Sequence, residues 1–220
     1  GSGAQYEDGT LTISAGGIYR ISGTLSDGRI LVNAPNEDVT LVLNNAEITN
    51  TSGSPIYIYQ AGQTVIQLAD GSVNMLTDGS SYTFADAFSS AEESEPNACV
   101  YAKSDLTISG SGALTVNANY KNGITGKDTL TIDSAAVTVN AVNHGINGKD
   151  QLIINHAALT VVSGGDALRS TNDSDESLGC IAITDATLNL TAGEDGIQAE
   201  TNLTISGGSC TVQTGGGSTV

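Results

Sequence analysis

The sequence has no tryptophan, only 3 prolines, and only 7 lysines and arginines among its 220 residues. Against these few bases stand 24 aspartates and glutamates, which give a formal net charge of −17. Proteins that bind nucleic acids carry basic surfaces, so the charge balance argues against a nucleic-acid partner. No run of 18 apolar residues occurs, and the sequence therefore predicts no membrane-spanning helix.

Cysteine is also scarce, and its placement excludes two kinds of site. Cys99, Cys180 and Cys210 lie far apart and show no Cys-x-x-Cys pair or zinc-ligand spacing. Their odd number argues against a disulfide framework, so we expect small buried thiols. What is abundant is glycine, with 27 residues, alongside many Thr, Asn, Ser, Val and Ile residues. This composition is typical of β-structure with many turns.

An internal repeat is the main signal in the sequence. Five similar segments begin at Val100, Ile124, Ile146, Leu168 and Ile197, which are 24, 22, 22 and 29 residues apart. The last spacing is 22 residues with an insertion of seven at 173–179. Each repeat contains three apolar pairs with turn residues between them, and the side chains of such pairs point to the same face of a short strand.

One repeat of about 22 residues is too small to bury its apolar side chains alone, but stacked repeats bury them in columns. The sequence therefore predicts an all-β, single-stranded parallel β-helix, a solenoid with three short strands per coil. We expect one domain. Residues 1–38 form N-terminal strands and a cap, and residues 39–220 form the coils. A loop excursion at 77–97 and the insertion at 173–179 interrupt them.

Acidic and amide residues recur at two turn positions of the repeat. Asp166 and Asp195 both stand two places before a first strand, so we expect them on adjacent coils. Two carboxylates about 5 Å apart repel each other by roughly 3 kcal/mol at an effective dielectric constant near 20. Such a pair either shares a proton or binds a cation.

Hard oxygen donors surround this pair, and calcium takes about six to eight of them. We therefore predict a Ca²⁺ site. The alternative is a solvated acidic turn ladder supported by Asx turns. The candidate metal ligands are Asn143, Asp166, Asn172, Asp173, Asp175, Glu194, Asp195 and Glu200.

Other charged residues of the turns receive a structural interpretation. Asp128 and Asp150 each follow a lysine, Lys127 and Lys149, so we expect these ladders to neutralise themselves. We interpret His144 as a hydrogen-bonded turn residue, because zinc would require more His or Cys ligands nearby.

Three strings resemble the signature of a family of secreted bacterial carbohydrate-binding β-helix proteins. They are Asp166-Ala-Leu-Arg-Ser-Thr-Asn172, Asp195-Gly-Ile-Gln-Ala-Glu200 and Gly123-Ile-Thr-Gly-Lys-Asp128, and the resemblance covers roughly residues 39–217. That family is similar in fold to calcium-dependent pectate lyases and binds cellulose and acidic, galacturonate-type polysaccharides. The resemblance implies a right-handed helix, a polysaccharide ligand and an extracellular location, secreted or attached to the cell surface. It also implies bound calcium, with Asp166, Asn172, Asp195 and Glu200 as ligands.

The leading hypothesis is a non-catalytic protein that binds plant cell-wall glycans, either acidic pectin-type chains or cellulose. Calcium would bridge protein carboxylates to uronate carboxylates, and Arg169, Tyr101 and Tyr120 would contact the sugar. One alternative is a calcium-dependent pectate lyase with Arg169 as the base. Another is a structural stalk or adhesin without a glycan ligand. The glycan, the number of ions and the oligomeric state stay open.

Overall fold

The computed structural model of the chain describes residues 3–215, which contain 23 strands and no helix. The strands are β1 Ala4–Glu7, β2 Thr10–Ile13, β3 Gly17–Leu25, β4 Arg29–Asn33, β5 Val39–Asn50, β6 Ile56–Gln60, β7 Thr64–Leu68, β8 Val73–Asp78, β9 Ala98–Ala102, β10 Leu106–Ser109, β11 Ala113–Ala118, β12 Asn122–Gly126, β13 Thr129–Asp133, β14 Ala136–Ala141, β15 Ile146–Gly148, β16 Gln151–Asn155, β17 Ala158–Ser163, β18 Leu168–Ser170, β19 Cys180–Thr184, β20 Thr187–Ala192, β21 Ile197–Ala199, β22 Leu203–Ser206 and β23 Ser209–Thr214.

These strands form two sheets. The nine-stranded sheet has the order β1-β2-β4-β6-β9-β12-β15-β18-β21. The fourteen-stranded sheet consists of two rows that share the long strand β5. One row runs from β7 to β22 and the other from β8 to β23, and β3 pairs with β5. From β9 onwards the chain therefore places one strand in each of three rows before it returns to the first. The described chain thus has the strand order of a parallel solenoid.

Equivalent residues of successive repeats stand opposite each other. Ile124 pairs with Val100 on one side and with Ile146 on the other, and Leu168 pairs with Ile146 and Ile197. The predicted all-β fold and the predicted alignment of the repeats are therefore confirmed. The right-handed sense of the winding and a regular coil of about 22 residues stay predictions.

Aliphatic side chains fill the interior as columns. One column consists of Leu106, Leu130, Leu152 and Ile181. Each of these residues pairs with the next one across neighbouring strands, and each is at most 1 % exposed. Between two such inward residues of a strand, the middle side chain points outward and is half-buried, as at Thr131. Full burial of one such side chain stabilises a fold by about 1.5–3 kcal/mol, so the columns supply most of the cohesion between coils.

The first strands continue both sheets. β3 pairs with β5 and β4 pairs with β6, both in parallel, while β1 folds back antiparallel on β2 at one end of the nine-stranded sheet. The boundary placed at residue 38 stays a prediction. In the part of the chain described, no helix is long and apolar enough to cross a membrane.

Two segments leave the stack. Residues 79–97 lie between β8 and β9, and we call them the long loop. Arg29 forms an ion pair of 2.6 Å with Asp86 of this loop, and the Tyr57 hydroxyl donates a hydrogen bond of 2.6 Å to the carbonyl of Phe88. The long loop is therefore anchored against the nine-stranded sheet.

The second segment that leaves the stack comprises residues 171–179 between β18 and β19, where the preceding coil has only residues 149–150.

Candidate functional site

A row of outward-pointing residues follows the nine-stranded sheet from coil to coil. Tyr101, Thr125, Asn147, Arg169 and Gln198 stand in register on β9, β12, β15, β18 and β21. Together with the adjoining turns and the long loop, the first four of them line a groove of about 220 Å³. The other residues that line this groove are Glu95, Asn97, Asn122, Lys127, His144 and Lys149.

Polar atoms without hydrogen-bond partners are concentrated in this row. In the described chain, six buried side-chain nitrogen or oxygen atoms have no partner, and four of them belong to the row. They are the Thr125 hydroxyl, Oδ1 of Asn147, Nε of Arg169 and the Tyr101 hydroxyl, which faces the Glu95 carboxylate. Buried polar groups in folded proteins are nearly always hydrogen-bonded, so this row is short of well-aligned partners within the chain.

A column of lysines borders the groove. Lys103, Lys127 and Lys149 each follow the last residue of a strand of the nine-stranded sheet, and neighbouring strands are about 4.8 Å apart. The Glu95 carboxylate is 2.9 Å from Nζ of Lys103 and 2.5 Å from Nζ of Lys127. Lys149 has no ion pair within the described residues.

Within the described turns, the lysines of the ladders do not form ion pairs with the aspartates that follow them. In residues 3–215, neither Lys127 nor Lys149 forms an ion pair with Asp128 or Asp150. The lysine Nζ atoms instead lie on the groove side of the turn, where the long loop supplies Glu95. Asp128 has a raised pKa, because burial and the neighbouring carboxylates of Asp150 and Asp105 disfavour its charge. The charges of Lys149 and Lys127 oppose this shift, so the expected neutralisation of the ladder is partial.

Glu95 has a pKa lowered to about 2. Burial alone raises this pKa, but hydrogen bonds from Lys127, Tyr101 and Lys103 and the charge of Lys127 outweigh that effect. The folded-state pKa therefore lies below the ordinary value of 4.5. The ionised form stabilises the docked loop above pH 4.5, and this stabilisation is lost as the pH falls towards 2.

This pKa shift gives a pH-dependent prediction. We expect Glu95→Gln to lower the free energy of unfolding by about 2 kcal/mol at pH 5, with the difference from the wild type shrinking as the pH falls to 2. Denaturant unfolding of both proteins across this pH range measures it. A difference that stays constant down to pH 2 would contradict the assignment of the charge to Glu95.

Asp166 is the centre of a second polar cluster at one end of the groove. Its Oδ1 accepts the backbone N–H of Asp195 at 3.0 Å, and its Oδ2 is 3.3 Å from Nη1 of Arg169 and 3.2 Å from Nδ1 of His144. Arg169 Nη1 also contacts Nε2 of His144. The buried Asp166 carboxylate therefore already has a cationic partner, the Arg169 guanidinium.

His144 has a lowered pKa, because burial disfavours the imidazolium and the Arg169 charge adds to that effect, while Asp166 and Glu194 oppose it. The imidazole is therefore mainly neutral at pH 7. Protonation in the unfolded chain opposes folding below about pH 6.5.

The donor atoms of this cluster are poorly suited to calcium. His144, Asp166 and Glu194 each place one ligand atom within 4.8 Å of the others. Calcium favours oxygen ligands alone, yet one of these donors is a histidine nitrogen, and the Arg169 guanidinium stands where a cation would bind Asp166. As arranged, these residues do not fit a calcium ion at Asp166. Calcium binding by the chain stays a prediction.

The eight predicted metal ligands are divided between two turns. Asn143, Asp166, Glu194 and Asp195 lie at the turn of the second cluster, and Asn143 donates a hydrogen bond to Asn122 there. Asn172 lies at the other turn, where it donates to Asp150 at 2.6 Å and accepts two hydrogen bonds from Ser174. The remaining three predicted ligands, Asp173, Asp175 and Glu200, are exposed at or beside the insertion.

The two tyrosines predicted to contact sugar have different surroundings. The Tyr101 side chain is fully buried, with its ring packed edge-to-face on Tyr57, so the ring is not available for stacking on a sugar. Burial raises the pKa of Tyr101, and the hydrogen bond to Glu95 and the charge of Glu95 raise it further. Tyr120 is stacked on Tyr82, with the ring centroids 4.2 Å apart. The expectation of an exposed Tyr101 ring is therefore wrong, because the long loop covers it.

Sequence reasoning missed the residues that define the groove. Glu95 lies in the loop excursion, where no repeat pattern marks it. Asn147 stands one residue after Ile146, which gives it the same outward orientation as Arg169. The repeated lysines at 103, 127 and 149 were a usable signal. No signal in the sequence indicated that these lysines contact Glu95, because the repeat pattern does not extend to the long loop.

The fold and the groove define a parallel solenoid with a polar, partly basic groove along one sheet. A family model of carbohydrate-binding domain-containing proteins matches residues 7–220, and the chain belongs to this family.

Two known proteins are similar to the chain. A carbohydrate-binding domain-containing protein of Acetivibrio thermocellus is 44% identical over 140 residues, which are 63% of this chain and 48% of that protein. The match thus spans about half the length of this relative. The solved structure of the polysaccharide lyase-like protein from C. thermocellum, a gadolinium derivative, has a TM-score of 0.85 and 34% identity. The structural match covers 98% of this chain and 88% of the chain in that structure.

Proposed function

We propose that this protein binds an acidic polysaccharide in the groove of the nine-stranded sheet and does not cleave it. The observation that carries this proposal is the polar and basic lining of the groove, to which Thr125, Asn147, Lys149 and Arg169 contribute. Sugar hydroxyls both donate and accept hydrogen bonds, so a glycan chain lying in the groove would pair with side chains of this kind. The carbohydrate-binding family and the polysaccharide lyase-like neighbour support the same class of ligand.

The distribution of charge favours an acidic glycan. Three of the seven basic residues of the chain, Lys127, Lys149 and Arg169, line this one groove. Hydrogen bonds from such groups to carboxylates are shorter and about twice as strong as neutral ones. The rest of a protein with a net charge of −17 repels a polyanion, which would restrict binding to the groove.

Cellulose is a weaker candidate for this groove. A neutral glucan chain commonly needs an aromatic platform, but Tyr57 and Tyr101 are fully buried and Tyr120 packs on Tyr82. A galacturonate-type, pectin-like chain fits the basic groove better. Such polymers lie outside cells, so the proposal includes an extracellular location, secreted or attached to the cell surface.

The proposal predicts a charge-dependent retardation on gels. In affinity electrophoresis we expect polygalacturonate to retard the wild-type protein, while a neutral glucan does not. Lys149→Glu should abolish the retardation, because it places a negative charge in the groove at a residue without an ion pair. Arg20→Glu is the matched control. It makes the same change in net charge at an exposed position on β3, in the other sheet.

The alternatives give different outcomes in the same experiment. No retardation of the wild type on any gel would support a structural stalk. Equal loss of retardation in Lys149→Glu and Arg20→Glu would mean that binding follows net charge and not the groove. Retardation by cellulose derivatives alone would favour a neutral ligand at another face.

A calcium-dependent pectate lyase is the catalytic alternative. The predicted base for that reaction is Arg169, but its guanidinium pairs with Asp166, and an ion pair holds the proton that a base must lose. This contact supports the non-catalytic proposal. Incubation with polygalacturonate and calcium, followed by the absorbance of unsaturated products, tests it, and turnover that Arg169→Ala removes would overturn it.

A further inference from the structure

We propose that Glu95 is a specificity-determining residue which limits the length of acidic chain that the groove accepts. Its carboxylate lies between Lys103 and Lys127, where it occupies two lysines of the column. This inference rests on the proposed function and adds to it the identity of the residue that closes one end of the binding site.

The geometry of the lysine column carries the proposal. Lys103, Lys127 and Lys149 directly follow three successive strands of the sheet, and each strand spacing is about 4.8 Å. Glu95 contacts the first two lysines, while no ion pair within the described chain involves the third. The column therefore has one occupied end and one end that is open to an anion.

The contact is built into the structure. The Glu95 side chain is only 8% exposed, and hydrogen bonds in both directions between the backbones of Ser90 and Glu95 fix the end of the long loop. Nearer the start of the long loop, Asp86 is held independently by its ion pair with Arg29. A ligand carboxylate bound to Lys127 would have to displace a carboxylate that is already held by two ammonium groups.

Glu95 thus has the same chemistry as the ligand group that it excludes. An acidic oligosaccharide would bind at Lys149 and Arg169, and extending it towards Lys127 would bring its carboxylates against that of Glu95. Two neighbouring carboxylates repel each other, so additional uronate residues at the Lys127 end of the groove should not add affinity. Neutralising Glu95 would remove the repulsion and release Lys103 and Lys127 for the longer chain.

Calorimetric titration with trigalacturonate and hexagalacturonate tests the proposal. For the wild type we expect similar affinities for both oligomers. In Glu95→Gln we expect about tenfold tighter binding of hexagalacturonate, the size of effect that one added charge-assisted contact produces. Binding of trigalacturonate should change less than twofold. The gain should disappear in about 1 M salt, where the Debye length is about 3 Å.

Asp86→Asn is the matched control. It converts another carboxylate of the same loop to an amide and breaks the contact with Arg29, but it leaves Lys103 and Lys127 occupied by Glu95. An equal gain in both variants would mean that mobility of the loop is responsible, and it would overturn the role of Glu95. If the wild type binds both oligomers, wild-type affinity of Glu95→Gln for hexagalacturonate would overturn this inference alone.

Failure of the proposed function gives a different result, because then neither oligomer binds the wild type or either variant. The variants can be compared as folded proteins, since Glu95 lies outside the stacked strands. Circular dichroism and melting curves of each variant verify this.

Discussion

Replacing Asp166 by alanine is expected to lower the free energy of unfolding by about 3 kcal/mol, by the same amount in calcium and in chelator. The substitution removes the carboxylate that pairs with Arg169 and accepts the N–H of Asp195. Loss of one partner of a buried ion pair leaves the other charge desolvated and uncompensated, which costs far more than loss of an exposed pair. Denaturant unfolding of the variant in both buffers measures the effect.

Asp173→Ala is the control for this substitution. Asp173 is an exposed carboxylate of the inserted segment, and its removal should change stability by no more than about 0.5 kcal/mol. The sequence alone predicts another result for Asp166, a loss in calcium and little change in chelator. A loss confined to the calcium buffer would therefore show that a metal, and not Arg169, compensates this carboxylate.

Leu152→Ala is expected to cost about 3 kcal/mol of stability, because it opens a cavity in the middle of an aliphatic column. Leu152 is fully buried and pairs with Leu130 below it and Ile181 above it. Since equivalent residues on successive coils fill the same layer, neither neighbour can move into the space without leaving its own. For a chain of this size we expect the melting temperature to fall by roughly 6–12 °C.

Ile153→Ala tests the same strand on its outward side. Ile153 is half-buried, and the next coil already has Ala182 at the paired position, so we expect a cost below about 1 kcal/mol. Similar destabilisation by the two substitutions would contradict the inward and outward assignment of the strand. Because solenoid repeats unfold with their neighbours, hydrogen exchange along the chain would also show whether the damage spreads beyond the adjoining coils.

The stack and the groove are linked through register. Tyr101, Thr125, Asn147 and Arg169 lie in one line because each stands one residue after an inward aliphatic side chain that is locked in its column. A slip of one residue in any coil would turn its groove residue into the core. Burial of the columns therefore holds the polar row in place.

The repeat made much of this architecture readable from the sequence. The spacing of Val100, Ile124, Ile146, Leu168 and Ile197 predicted which residues pair, and each predicted pair is found. Asp166 and Asp195 were likewise placed on adjacent coils, and the backbone of Asp195 does bind Asp166. These predictions depend only on the distance in sequence between equivalent positions.

What the sequence by itself determined is the set of columns, because a strand alternates its side chains and stacked coils repeat that alternation at a fixed spacing. Only the tertiary structure decided how the charged groups pair across columns and where the long loop returns. From the sequence, Arg169 could pair with Asp166 or with a ligand, and Lys127 could pair with Asp128 or with Glu95. In the structure they pair with Asp166 and with Glu95. Such choices depend on side-chain direction at turns and on contacts between distant segments, and no periodicity in the sequence encodes them.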